Sequence, residues 1–107
     1  MKKVSIIIPA YNEEKRLPAT LLKIKKFLKK NKIKSEIIVI DDGSIDNTVS
    51  IAKKYGVKVL KNGKNVGKGY SVKRGIFAAK GDVILFTDAD LSTPIEFLKD
   101  FMNEHAS

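Results

Sequence analysis

Two carboxylates, Asp88 and Asp90, flank Ala89 at the end of an apolar run. In a continuing strand they would share a face, and in a turn they can still converge. With no histidine or cysteine beside them they form a hard-oxygen donor set, suited to Mg²⁺ or Mn²⁺. Such an ion keeps positions open for phosphate oxygens and neutralises a diphosphate leaving group as a Lewis acid. Alone the pair is a weak signal. Asp90 or Ser92 could equally cap a helix opening near Pro94.

A second acidic pair, Asp41-Asp42, precedes Gly43-Ser44. Asp42 could accept hydrogen bonds from a base edge or a ribose hydroxyl, or it could fix the turn at Gly43 or cap the following helix. Two adjacent acids repel unless one is paired or neutralised, which favours a ligand-directed role. Tyr11 offers a ring for stacking and a hydroxyl, or else packs over a sheet edge. Glu13 could contact a nucleoside or sit as favourable charge at a helix N-terminus. The segment Asn62-Gly63-Lys64-Asn65-Val66-Gly67-Lys68-Gly69 is glycine-rich but is not a P-loop. Gly63 to Gly67 is one residue too short, and Gly69 stands where Ser or Thr would hold Mg²⁺. Nor is it a dinucleotide fingerprint, because it does not follow the first strand. We read it as a structural loop and a helix start, with Lys68 placed to attract phosphate. His105, the one histidine, lies at the C-terminal end, where fraying outweighs catalysis.

The elements that would position these residues alternate in type. Val4–Ile8 is a short β-branched run closed by Pro9, and Glu36–Ile40 is a second such run ending at Asp41. Val57–Leu60 and Asp82–Phe86 read as the third and fourth strands. Between them, residues 13–30 carry Leu17, Leu21, Leu22, Ile24, Phe27 and Leu28 at helical spacing, with lysines on the wet side. A second helix, capped by Ser44 or Asp46, stops at Gly56, and a third runs from Lys68 to Ala79. A last helix is expected from about Pro94. The βαβαβαβα order implies an α/β Rossmann-like three-layer αβα domain, with a mainly parallel four-stranded sheet. In such sheets ligands bind beyond the carboxyl ends of the strands. The polar clusters after strands one, two and four therefore converge on one edge.

The chain has 107 residues, the size of one small domain, and no cysteine, so disulfides and thiolate metal sites are excluded. No apolar run is long enough to span a bilayer, and the N-terminal run is too short for a signal-peptide core. A cytoplasmic domain is expected, at most at the membrane surface. The formal charge is +9, carried almost entirely by lysine, with Arg16 and Arg74 the only arginines. Many lysines fall between Lys15 and Lys34. They could attract nucleic acid or anionic headgroups. Sparse arginines and aromatics argue against a nucleic-acid partner and leave a solvated helix face as the plain alternative.

Four ordered motifs, Ser5-Ile6-Ile7-Ile8-Pro9-Ala10-Tyr11-Asn12-Glu13-Glu14, Asp41-Asp42-Gly43-Ser44-Ile45-Asp46-Asn47-Thr48, Asn65-Val66-Gly67-Lys68-Gly69 and Asp88-Ala89-Asp90, resemble the family 2 glycosyltransferases of the GT-A fold. The branch they resemble most is the dolichyl-phosphate glucosyl- and mannosyltransferases. The resemblance implies that Pro9, Ala10, Tyr11 and Glu13 line a nucleoside pocket. It implies that Asp42, with Asp41 beside it, contacts the base or ribose. Asp88 and Asp90 would hold the metal and diphosphate, with Lys68 and Ala89 completing the nucleotide-sugar contacts. The implied donor is a UDP- or GDP-sugar, and the implied acceptor a polyprenyl phosphate at a membrane surface. Ser92 stands where many mannosyl-type relatives carry Gln.

The same resemblance implies the strand order 3-2-1-4 and places the acceptor-binding half after the Asp88-Asp90 strand. The chain is therefore expected to be a truncated donor-binding domain, the N-terminal half of the GT-A fold, with weak or no transfer by itself and no catalytic residue of its own. A non-catalytic α/β scaffold is the competing expectation. The fourth strand would be left as a sheet edge, through which a homodimer could form.

Overall fold

The computed structural model describes residues 2–90. The expected last helix, Ser92, Pro94 and His105 lie outside them. The elements are β1 (Val4–Ala10), α1 (Leu17–Lys30), β2 (Ser35–Asp41), α2 (Thr48–Lys54), β3 (Lys58–Lys61), α3 (Lys68–Ala78) and β4 (Val83–Phe86). The sheet is parallel, as the alternation of elements requires, and its order is β3-β2-β1-β4, as the family resemblance implies.

β1 and β2 are buried on both faces, which is why each reads as an unbroken apolar run. Val4, Ile6, Ile8, Ile37 and Val39 meet Leu17, Leu21, Ile24 and Leu28 of α1 and Ala52 of α2. Ile7, Ile38 and Ile40 form the opposite layer with Leu60, Ile84, Ala78 and Ala79. Two helices thus cover one face and α3 covers the other.

Two boundaries differ from the sequence expectation for identifiable reasons. Pro9 does not close β1, which continues to Ala10. The Ala10 carbonyl accepts the N–H of Asp42 on the β2 side, and the Ile7 carbonyl accepts that of Thr87 on the β4 side. By alternation Pro9 faces the β4 side, where pairing has already ended at Phe86. Its missing N–H therefore costs no ladder bond. α1 begins at Leu17 rather than Glu13, because residues 11–16 are held as a loop by the segment after β2. Asn12 N–H donates to Ser44 Oγ (2.8 Å), Glu13 N–H to Thr48 Oγ1 (2.9 Å) and Glu14 N–H to Asp46 Oδ2 (3.3 Å). Asn12 Oδ1 accepts the Ile45 N–H in return. Asp46 also accepts the Thr48 N–H at the start of α2, though the N-cap position itself is Asn47.

Candidate functional site

At the carboxyl edge of the sheet lies a cleft of about 240 Å³. Pro9, Ala10, Tyr11, Glu13, Asp42, Lys68, Asp88, Ala89 and Asp90 line it, together with Ser71. The structure thus gathers all the residues singled out in the sequence except Asp41.

Asp41, the last residue of β2, and Asp42, just after it, are both buried, and their carboxylates have different partners. Asp41 Oδ2 accepts the N–H of Ser44 at 3.1 Å, while its Oδ1 is buried without a hydrogen-bond partner among the described residues. Asp42 turns toward the loop before α3. Its Oδ1 accepts from Asn62 Nδ2 (2.9 Å) and Val66 N–H (2.8 Å), and its Oδ2 from Gly67 N–H (3.0 Å). Burial pushes the Asp42 carboxyl upward. The hydrogen bonds from Val66, Asn62 and Gly67 outweigh it and hold the group below its ordinary value. Asp42 therefore holds the glycine-rich loop, a role distinct from the turn and the cap considered above. Two glycines permit this. A Cβ on Gly43 would lie 2.5 Å from the Lys64 carbonyl carbon, and Gly67 adopts φ +105° at the N-cap of α3.

This grip fixes the start of α3 and with it Lys68, whose Nζ donates to Asp88 Oδ1 at 2.6 Å. Asp90 faces Arg16 at 3.7 Å, and Arg16 also pairs with Glu13 at 2.7 Å. Between the two acids, the Ala89 carbonyl accepts a 2.5 Å hydrogen bond from the buried Thr20 hydroxyl of α1. Both carboxylates are partly exposed and each has a long, mobile cation beside it. Among the described residues no group of three or more His, Cys, Asp or Glu could hold a metal. Asp88 and Asp90 would thus supply two oxygen ligands and leave the rest to a ligand's phosphates. That fits a hard divalent ion.

The sequence matches the family described as Glycosyl transferase family 2 over residues 5–107. The chain belongs to that family. It is 41% identical over 104 residues to the dolichyl-phosphate beta-glucosyltransferase of Homo sapiens, a match covering 86% of this chain and 32% of that protein. The family 2 chain thus spans about a third of the length of the curated relatives it matches. Among solved structures it is similar to the glucosyl-3-phosphoglycerate synthase of Mycobacterium tuberculosis in complex with uridine-diphosphate. That similarity has a TM-score of 0.77 and 27% identity, covering 97% of this chain and 39% of the other. The same enzyme with Mn²⁺, uridine-diphosphate and glucosyl-3-phosphoglycerate gives a TM-score of 0.71 at 29% identity, over 82% and 33%. The fold is accordingly the N-terminal part of the GT-A type.

In this family 2 chain, sequence reading missed the residues that support the site. Ser71 is fully buried, and its Oγ accepts from Asn62 Nδ2 at 2.8 Å. Asn62 Oδ1 in turn accepts from Arg74 at 2.9 Å. Thr20 was hidden because it lies within the apolar stripe of α1. A polar residue at a buried helical position was the available signal.

Proposed function

We propose that this chain is the donor-binding part of a hexosyltransferase that takes a UDP- or GDP-sugar together with Mg²⁺ or Mn²⁺. The observation that carries the proposal is the cleft at the carboxyl edge, which Asp88 and Asp90 line together with Pro9, Ala10, Tyr11 and Asp42. Asp88 and Asp90 hold the ion, and Lys68 and Arg16 stand beside them to receive negative charge from the diphosphate. The bound ion supplies Lewis-acid neutralisation of the leaving diphosphate. Tyr11, half exposed on the cleft, presents its ring to the nucleoside. Asp42 reaches the cleft with its carboxylate already anchored, and Asp41 lies behind it.

The acceptor we propose is a polyprenyl phosphate at the cytoplasmic face of a membrane, by extension from the named relative. Such a phosphate is ionised near neutral pH and needs no general base. No helix among the described residues is long and apolar enough to cross a membrane. At the sheet edge, Phe86 of β4 and Phe77 of α3 are largely exposed, and pairing there with a second copy is the form a homodimer would take. A monomer by light scattering at high concentration would dismiss it.

Calorimetry with UDP and GDP, with and without Mn²⁺, tests the donor proposal. Metal-dependent binding of one nucleotide is the expected outcome. No binding of either would leave a non-catalytic scaffold as the better account.

A further inference from the structure

We infer that the outer face of α1 and α2 is a docking surface for an anionic lipid bilayer. Acidic residues are absent from both helices on one face of the sheet. The α1 and α2 segments, Leu17–Lys30 and Thr48–Lys54, contain Lys23, Lys25, Lys26, Lys29, Lys30, Lys53 and Lys54 and not one acid. No Asp or Glu occurs from Leu17 to Ser35. The two helices lie on the same face of the sheet and touch each other, so their lysines form one field. By contrast, Glu13, Asp42, Asp88 and Asp90 line the cleft at the carboxyl edge.

The lysines of α1 are also arranged about an apolar centre. Leu17, Leu21, Ile24 and Leu28 turn inward, so the outermost line of the helix runs through Leu22, Lys26 and Lys30 at i, i+4 and i+8, with Lys29 on its flank. Leu22 is 46% exposed there, among exposed lysines. Lys25 donates to the Tyr55 carbonyl, and Lys23, Lys26, Lys29, Lys30, Lys53 and Lys54 enter no ion pair among the described residues. An exposed leucine fringed by lysine point charges suits a headgroup layer, where the chain stems rest on lipid and the ammonium groups meet phosphate. A nucleic acid would select for arginine forks and stacking aromatics, and this face has neither. The basic cleft on the flank of α1, near Lys29, Lys32 and Lys58, is a poorer phosphate site, because Glu36 lines it and pairs with Lys58 at 3.5 Å. The convex helix face is the better-matched surface.

Docking this way has a geometric consequence. α1 runs back along the sheet, so its first turn lies at the carboxyl edge, where Arg16 is 3.7 Å from Asp90. A bilayer against α1 therefore leaves the cleft at the level of the headgroups.

The test is co-sedimentation of the 107-residue chain with phosphatidylcholine vesicles, alone or with about one-third phosphatidylglycerol. Binding is expected only to the anionic vesicles at ~0.15 M salt and is lost near ~1 M. Combined Lys26→Gln, Lys29→Gln and Lys30→Gln should weaken it about 100-fold. A control variant of equal net charge, Lys64→Gln, Lys73→Gln and Lys80→Gln, should lose far less. Equal losses in the two variants would show a net-charge effect and overturn the assignment, as would equal binding to neutral vesicles. Tighter binding of a random-sequence RNA than of the vesicles through the same three lysines, at equal salt, also overturns it. The surface stands apart from the donor proposal: nucleotide titrations of the α1 variant in free solution should match those of the unmodified chain.

Discussion

The two acidic pairs of this molecule have opposite surroundings. Asp41 and Asp42 are buried at the end of β2, and Asp42 is bound by two backbone N–H groups and an amide. Asp88 and Asp90 are partly exposed after β4, and the cations beside them, Lys68 and Arg16, sit on flexible stems with most of their surface in solvent. Backbone donors cannot leave without unfolding the loop, whereas a lysine or arginine head can swing away at little cost. The first pair is thus suited to building the cleft and the second to exchanging partners within it. Each can be broken separately.

The largest expected effect is on ligand binding. Asp90→Ala should abolish the metal-dependent part of nucleotide-diphosphate affinity, a loss on the order of 100-fold, at the upper end of what disturbing even an outer-shell partner costs. Stability should move by no more than about 0.5 kcal/mol, since Asp90 is a surface residue. Calorimetry with and without Mn²⁺, paired with urea denaturation, reads both. A strongly destabilised Asp90→Ala would erase the contrast.

Asp42→Ala should do the reverse. It strands three donors around a buried site, and about 1–3 kcal/mol of stability should be lost. The pH dependence carries the same signature. Because the folded-state pKa of Asp42 lies below its ordinary value, its contribution is complete above the unfolded pKa of about 3.9 and disappears as pH falls through the folded value. Glu36 and Asp46, also held low despite burial that raises them, act in the same direction. For Glu36 the Ser5 hydroxyl, the Lys80 N–H and nearby lysines oppose that burial; for Asp46 the Thr48 hydroxyl and backbone N–H groups do. Stability should therefore begin to fall as pH drops into the usual carboxylate range and go on falling below it. The Asp42→Asn variant should show a shallower loss of stability there by circular dichroism.

The contrast also marks what could be seen in the sequence. The βα alternation and the β-branched runs dictated parallel strands with helices on both faces, whereas the strand order followed only from the family resemblance. The convergence of Pro9, Tyr11, Asp42 and Asp90 followed from placing them after strand ends. What stayed hidden were pairings between loops. Ser44 and Asp46 read as helix-capping residues, and they serve partly as acceptors for the N–H groups of Asn12 and Glu14, beside Thr48, which accepts that of Glu13. Likewise Asp42 read as an acid aimed at a ligand, because nothing local reveals that residues 66 and 67 return to it. Capping chemistry is short-range and legible, whereas an acceptor filled from twenty-four residues away in sequence is not.

Thr20 offers a finer probe, since it touches the exchangeable pair through the backbone between its acids. Thr20→Val keeps the shape and removes the hydroxyl that donates to the Ala89 carbonyl. About 1 kcal/mol of stability should be lost. Mn²⁺ affinity in the presence of UDP should fall by about 10-fold or less, as for other residues that orient ligands. Thr20→Ser should restore the metal affinity. If Thr20→Val lowers stability but leaves Mn²⁺ affinity unchanged, Thr20 belongs with the structural pair and not with the site.

The smallest effect is the most discriminating, because its two readouts should move in opposite directions. Lys68 neutralises Asp88 across 2.6 Å, so a bare divalent ion must displace it. Lys68→Gln should therefore raise the affinity for Mn²⁺ alone, by roughly 2- to 5-fold, which is what an exposed pair of this kind is worth. The same variant should bind the Mn²⁺–nucleotide diphosphate less tightly. With the ion on Asp88, the displaced ammonium is left beside the phosphates, at the N-terminus of α3, where negative charge is favoured. Paramagnetic resonance of free Mn²⁺, with and without UDP, measures both affinities on one sample. A parallel fall in the two would make Lys68 a mere support for the loop. A rise in the first with a fall in the second would identify it as a counter-ion that changes partner when the donor arrives, which the fixed Asp42 grip cannot do.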